Sequence, residues 1–333
     1  MANISINNLT LEDVTRDDDS FETQRSAASG SASRRNTRLQ MLLNSQTWKG
    51  IYDVREAGIV GDSTDETSKL NTAFTTAANE NRFLWIPPKF SIGVSSTVSV
   101  KAPILGGSHG IGMKPSGFAS IVNVGINNIY TPMLEVDTVT NTNMMRFFAM
   151  RGLTLNGRNS TSGSLRCTGF NVKGGRATPG DFNSNIRCLT YYLLQHSQIS
   201  DCYGFGLRLV GFIGLLENMF GNNNGINRLI LANAVQIIGG EWVPCRDVVG
   251  PMTGVNSWGL QFVASDGKSI TTEEGAHVVY LNTTVESGGV CNGIAIGENL
   301  SAVTLNSVYL EGFDGDTSTV CYGLDVGSIG RSE

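Results

Sequence analysis

Six short stretches of the chain share one pattern, a glycine or polar residue followed by two apolar residues with one other between them. They read GFNV from 169, GLRLV from 206, NRLIL from 227, GLQFV from 259, GIAI from 293 and GLDV from 323. Such alternation puts both apolar residues on one face of a strand. Successive starts lie 37, 21, 32, 34 and 30 residues apart. Another set of strand-like stretches runs alongside: GLTLNG at 152, LENMFGN at 216, VQIIGG at 235, YLNTTVESGG at 280 and TLNSVYLEGF at 304. A repeat of this size with variable insertions predicts a solenoid of six or seven windings. One winding is too small to bury its own apolar face, so windings must stack.

Stacking fixes what repeated positions do. Leu207, Leu260, Ile294 and Leu324 are expected in one inward column, while Asn171, Arg208, Gln261, Ala295 and Asp325 point out. The repeated glycine is expected at a bend between faces of the winding. Cys167, Cys291 and Cys321 recur just before that glycine and read as small apolar fillers of one stacked row.

Upstream, the pattern changes to a helical one. Ser63 and Glu66 have capping-box spacing, and Leu70, Ala73, Phe74 and Ala77 recur at helical intervals, which predicts a helix over 64–79. FLWIPP follows as a short strand stopped by proline. The whole segment, YDVREAGIVGDSTDETSKLNTAF…LWIPP, resembles the opening of the pectate-lyase-like, right-handed parallel β-helix family. Gly61-Asp62 and Asp65-Glu66-Thr67 match its glycine-aspartate turn, whereas Ser63 and the Gly58-Ile59-Val60 stretch depart from it. The resemblance covers about 40 residues of the fold and implies an all-β solenoid whose helix caps the first winding. No equivalent cap is legible at the other end.

Composition refines this picture. Of 333 residues, 40% are apolar and 16% charged, with 40 glycines and 8 prolines, which suits a turn-rich β protein. A net charge of −5 gives no footprint for nucleic acid, and no apolar run reaches membrane-spanning length. Residues 1–50 differ in kind. They hold the acidic run Asp17-Asp18-Asp19 with Glu22, the low-complexity SAASGSAS, and RRNTRLQMLLNS, expected as a short amphipathic helix with Leu39, Leu42 and Leu43. The organisation read from this is an anchoring segment over 1–50, a β-helix start over 51–110 and a β-helix body over 111–333. The N-terminus lacks a basic start and an apolar core, so secretion is not expected. Six cysteines without paired spacing and three scattered histidines give no metal site, and no cofactor is expected.

Candidate chemistry rests on carboxylates. Glu286 and Glu311 occupy matching places 25 residues apart in the last two windings. Stacked, they would stand at the spacing of a retaining glycosidase pair, or else splay into water as ordinary surface charges. Asp314 and Asp316, in the loop after Glu311, are alternatives. Glu241 and Asp247 lie near Trp242 and Trp258, a set suited to a sugar subsite unless the rings fill the interior. Outward Arg208 and Gln261 would offer polar contacts to a chain laid along the solenoid. Between 138 and 180 there is no acidic residue, but there are Arg146, Arg151, Arg158, Arg166, Lys173 and Arg176, a field for an anionic partner. GGSHGIG at 106–112 looks like a phosphate loop but lacks a following helix.

An unexported chain with an anchoring N-terminal segment and a capped β-helix resembles the bacteriophage tailspikes. That resemblance implies a homotrimer on the virion tail, assembled in the host cytoplasm. Residues 1–50 would attach to a tail or baseplate protein. The body would bind, and as such proteins often do would degrade, a bacterial surface polysaccharide, capsule or O-antigen. A lyase, with Tyr309, His277 or Lys268 supplying base and charge neutralisation, is the rival to hydrolysis. A non-catalytic spike base or adhesin is the rival to catalysis.

Overall fold

The computed structural model describes residues 20–23, 34–37, 50–107, 119–138, 147–158, 165–176, 186–187, 189–230, 234–247, 250–263, 278–297, 302–313, 315 and 319–326. The chain forms two compact units, Met1–Tyr52 and Asp53–Glu333. In the first, Ser20–Thr23 pairs antiparallel with Arg34–Thr37, setting Glu22 opposite Arg35. The Arg-Arg-Asn-Thr start of the expected amphipathic helix is therefore a strand; Asn and Thr are weak helix formers. Leu39, Leu42 and Leu43 lie outside the described residues.

The second unit is an all-β parallel β-helix. Its described residues trace eight windings, each with three faces. Face 1 runs Phe83–Ile86, Ile104–Gly106, Phe147–Arg151, Leu189–Gln195, 211–217, 235–238, 278–281 and Ala302–Leu305. Face 2 begins with Asp62–Asp65 ahead of the first full winding. It continues through Ser91–Val94, Ala119–Asn123, Leu153–Asn156, Gln198–Ser200, Phe220–Asn224, 241–244, 284–289 and Tyr309–Phe313. Face 3 holds Val98–Ser99, Asn127–Asp137, Arg166–Lys173, 205–210, Ile226–Ile230, Trp258–Val263, Asn292–Ile296 and Leu324–Val326. The early windings lack the glycine pattern, which is why fewer were expected.

The core is a set of inward columns. On face 1, Leu84, Ile104, Met150, Leu194, Leu216, Ile237, Leu281 and Leu305 follow one another in register. On face 2 the column is Ile92, Ile121, Leu155, Ile199, Gly221, Trp242, Val285 and Leu310. On face 3, Phe170 is followed by Leu207 and then Asn227. Leu260, one residue before Gln261 as Asn227 is one before Arg228, leads on to Ile294 and Leu324. The expected column therefore exists, interrupted by a buried asparagine. Asn227 is satisfied there: its Oδ1 accepts from the Leu207 amide at 3.2 Å, and its Nδ2 donates to the Gly259 carbonyl at 2.9 Å. The eighth winding keeps the register but not the burial, with Leu324 41% and Val326 67% exposed.

Two kinds of corner hold the faces together. Between faces 1 and 2 the backbone turns through a left-handed residue, at Gly152, His196, Asn218, Gly239 and Ser307. Between faces 2 and 3, buried Asn123, Asn224 and Asn292 clip loose backbone groups. Asn224, for example, accepts from the Cys202 amide at 3.1 Å and donates to the Ile199 carbonyl at 2.8 Å. Gly323 stands at a bend as expected, but the repeated glycines 169, 206, 259 and 293 lie within strands, and none of these has a left-handed backbone. Their reason is close approach: a Cβ on Gly293 would lie 2.2 Å from the Gly323 carbonyl oxygen. The cysteines fill this second corner. Cys167 and Cys202 adjoin, Cys245, Cys291 and Cys321 form a further run, and Asn224 stands between the two groups. Burial pushes the Cys245 thiol up to about 12, so it stays protonated filler.

Helix α1, Thr67–Asn79, covers the first winding, burying Leu70, Ala73, Phe74 and Ala77. Its polar side chains also close the open strand edge: Thr67 Oγ1 accepts from the Ser95 amide and Asn71 Oδ1 from the Ser99 amide, each at 2.9 Å. The expected capping box at Ser63 and Glu66 is absent. Ser63 sits in a strand with a left-handed backbone, and Glu66 folds back to accept from the Val60 and Gly61 amides at 2.8 and 3.1 Å. Asp65 caps instead, accepting from the Thr67 amide at 3.1 Å. A true capping box sits earlier, between Asp53 and Glu56.

Candidate functional site

Parallel pairing in register sets side chains of adjacent windings side by side, so face 2 can be read row by row. In windings five to eight one outward row is Phe220, Glu241, Thr284 and Tyr309. Beside it, Glu286 pairs in register with Glu311. Both glutamates are exposed, and Glu241 is half-buried. Three carboxylates and a phenol thus share one surface. The Tyr309 hydroxyl donates to Glu311 Oε2 at 2.6 Å, and that bond, with the charges of Glu311 and Glu286, holds the phenol above its usual pKa. Partial burial, and next the charge of Glu286, raises the Glu241 carboxyl above the ordinary range. Adjacent parallel strands lie about 4.8 Å apart, close to the roughly 5 Å between the carboxyls of a retaining glycosidase.

The other expected site residues are dispersed. Trp242 is a fully buried member of the face 2 column, seated over Gly221, where a Cβ would come 2.6 Å from the indole. It cannot stack on a sugar from outside, and the expectation of a binding ring there is corrected. Trp258 is half-buried where face 3 begins, with its ring stacked on Tyr322. Asp247 lies past the second corner, beyond Cys245, where its charge adds to burial in raising the Tyr203 phenol to about 12. Arg208 and Gln261 do share one outward row of face 3, with Arg228 between them. That row is a ladder. Asn171 donates to Glu135 at 2.7 Å, Arg208 to Asn171 at 3.1 Å, and Arg228 to Gln261 at 2.9 Å. Gln261 is only 4% exposed and engaged within the ladder, so a direct ligand contact is not available to it. Asp314, Asp316, His277, Lys268, Arg146 and most of the 106–112 loop lie outside the described residues, as does Cys188.

Four participants take their roles only from the structure. Tyr309 was expected only as a base or charge-neutralising group of a lyase, not as the partner of Glu311. Arg228 holds the outward position of NRLIL, and the alternation that placed Arg208 places it too. Asn292 and Tyr322 gave no signal, because only folding sets them beside Trp258. Among the described residues no three His, Cys, Asp or Glu side chains gather to hold a metal ion, and no helix is long and apolar enough to cross a membrane.

No protein-family model matches the chain, and no curated protein does. Among solved structures it is similar to the ORF18 protein of Geobacillus virus E2, with a TM-score of 0.39 and 12% identity over 90% of this chain. The chain spans 63% of that protein's length.

Proposed function

We propose that this chain is a phage tailspike body that lays an extended bacterial surface polysaccharide, capsule or O-antigen, along face 2 and hydrolyses it. The carrying observation is the register pairing of Glu286 with Glu311 beside Glu241. Glu311, oriented by Tyr309, serves as nucleophile. Glu286, the other member of the register pair, serves as acid. The opening that resembles β-helix tailspikes supports the setting: residues 1–50 join a tail protein, and three copies assemble on the virion.

The exposure of both glutamates favours a second reading, an adhesin that binds without cutting, since water is not excluded from the pair. One assay separates them. The chain is incubated with purified capsule or O-antigen, and reducing ends and the ultraviolet absorbance of an unsaturated uronate are followed. Reducing ends alone mark hydrolysis, both signals mark a lyase, and neither, with binding retained, marks the adhesin. Glu286→Gln and Glu311→Gln should each lower the rate by about a hundredfold or more while the fold persists. Full activity in either variant removes that residue from the mechanism.

A further inference from the structure

Trp258 starts face 3 in the sixth winding, and Tyr322 precedes it in the eighth. Their rings are 6.4 Å apart between centroids and only 9° from parallel, an offset stack. The residue between them, Asn292, is in register with Trp258 and buried. Its Nδ2 donates to the Val255 carbonyl at 2.6 Å and the Ser257 carbonyl at 3.2 Å, and its Oδ1 accepts from the Tyr322 amide at 3.0 Å. The Tyr322 carbonyl accepts from the Gly293 amide at 2.8 Å. Both backbone groups of Tyr322 are thus tied to the seventh winding, while the residue is 46% exposed. Two nearly parallel aromatic rings, Trp258 half-buried and Tyr322 exposed, are thus held in place before any ligand arrives.

Resting on the glycan reading above, we propose that Trp258 and Tyr322 form a preorganised platform for uncharged pyranose units. Sugar faces rich in C–H pack on aromatic rings, and fixing the rings in advance lowers the entropic cost of binding. Charge selects the class of sugar. Glu241, Glu286 and Glu311 line face 2 of the same windings. Arg246, an exposed cation beside Gly289, does not offset three carboxylates. A uronate-rich chain meets like charge there, whereas a neutral hexose chain does not.

The test is isothermal titration of the full chain with neutral malto-, laminari- and galacto-oligosaccharides and, separately, with oligogalacturonates. Neutral oligosaccharides should bind in preference. Trp258→Ala and Tyr322→Ala should each weaken them by about tenfold or more, while Tyr322→Phe, which keeps the ring, stays near the unsubstituted chain. Thermal melts of each variant separate lost folding from lost binding. Equal binding by the alanine variants overturns the platform and leaves glycan binding on face 2 standing. Preference for oligogalacturonate overturns the neutral class. No binding by the unsubstituted chain to any of these sugars overturns the platform and the glycan reading together.

Discussion

Glu241 is the site's titrating residue. Its carboxyl is raised by partial burial and by the charge of Glu286, so its ionised form opposes folding. The sign follows: stability falls as pH rises through the raised value and recovers as pH drops below it. Glu241→Gln removes that dependence. In urea titrations the variant should be more stable than the parent at neutral pH and equal to it once the parent's carboxyl is protonated. A parent that is the more stable at neutral pH would contradict this assignment. At the same scale, Trp242 shows what alternation alone leaves open. In GGEWVP either Glu241 or Trp242 could face in, and only the register over Gly221 decides, because glycine leaves the volume the indole fills. Asn227 poses the converse case. An asparagine in an inward column reads as a break, yet two backbone bonds from neighbouring windings satisfy it.

At the scale of elements, the repeated glycines and the cap were legible as positions and misread as reasons. Gly169 and Gly293 stand where the next winding's backbone passes too close for a Cβ, and Gly206 and Gly259 where a neighbouring side chain does, while the corners between faces 1 and 2 use Gly, Asn, His and Ser with a left-handed backbone. Gly293→Ala should therefore destabilise the body by about 1–3 kcal/mol, seen as a lower melting temperature. An unchanged melt would mean that the strands separate there without cost. Helix α1 was legible from its apolar spacing, since Leu70, Ala73, Phe74 and Ala77 are its buried face. Its start was not, because Asp65 and Glu66 compete for amides only a few residues apart and tertiary position decides between them. The polar half of the cap, Thr67 and Asn71 on the open strand edge, has no local sequence signature.

For the whole molecule, the repeat spacing was enough to specify a solenoid, because each winding needs its neighbours to bury its apolar residues. It did not specify three faces. Strands such as Val98–Ser99 and Ile104–Gly106 are too short to carry a pattern, and longer ones such as Val278–Gly289 run from one face to the next. The pairing of Glu286 with Glu311 was legible because both sit at one place in the repeat. The company of Glu241 was not, because it depends on the bulge that shifts the register after Ile238, and Tyr309, two residues before Glu311 on one strand, was legible in position but not as its hydrogen-bond partner. Whether the glycan lies over this carboxylate row is read by labelling carboxyl groups with a carbodiimide and glycine ethyl ester, and following each peptide by mass spectrometry with and without the polysaccharide. Glu286 and Glu311 should become protected while Asp62 and Glu80, at the capped end, label equally in both samples. Equal labelling of Glu286 and Glu311 with polysaccharide bound, or protection confined to other carboxyls, would contradict that placement.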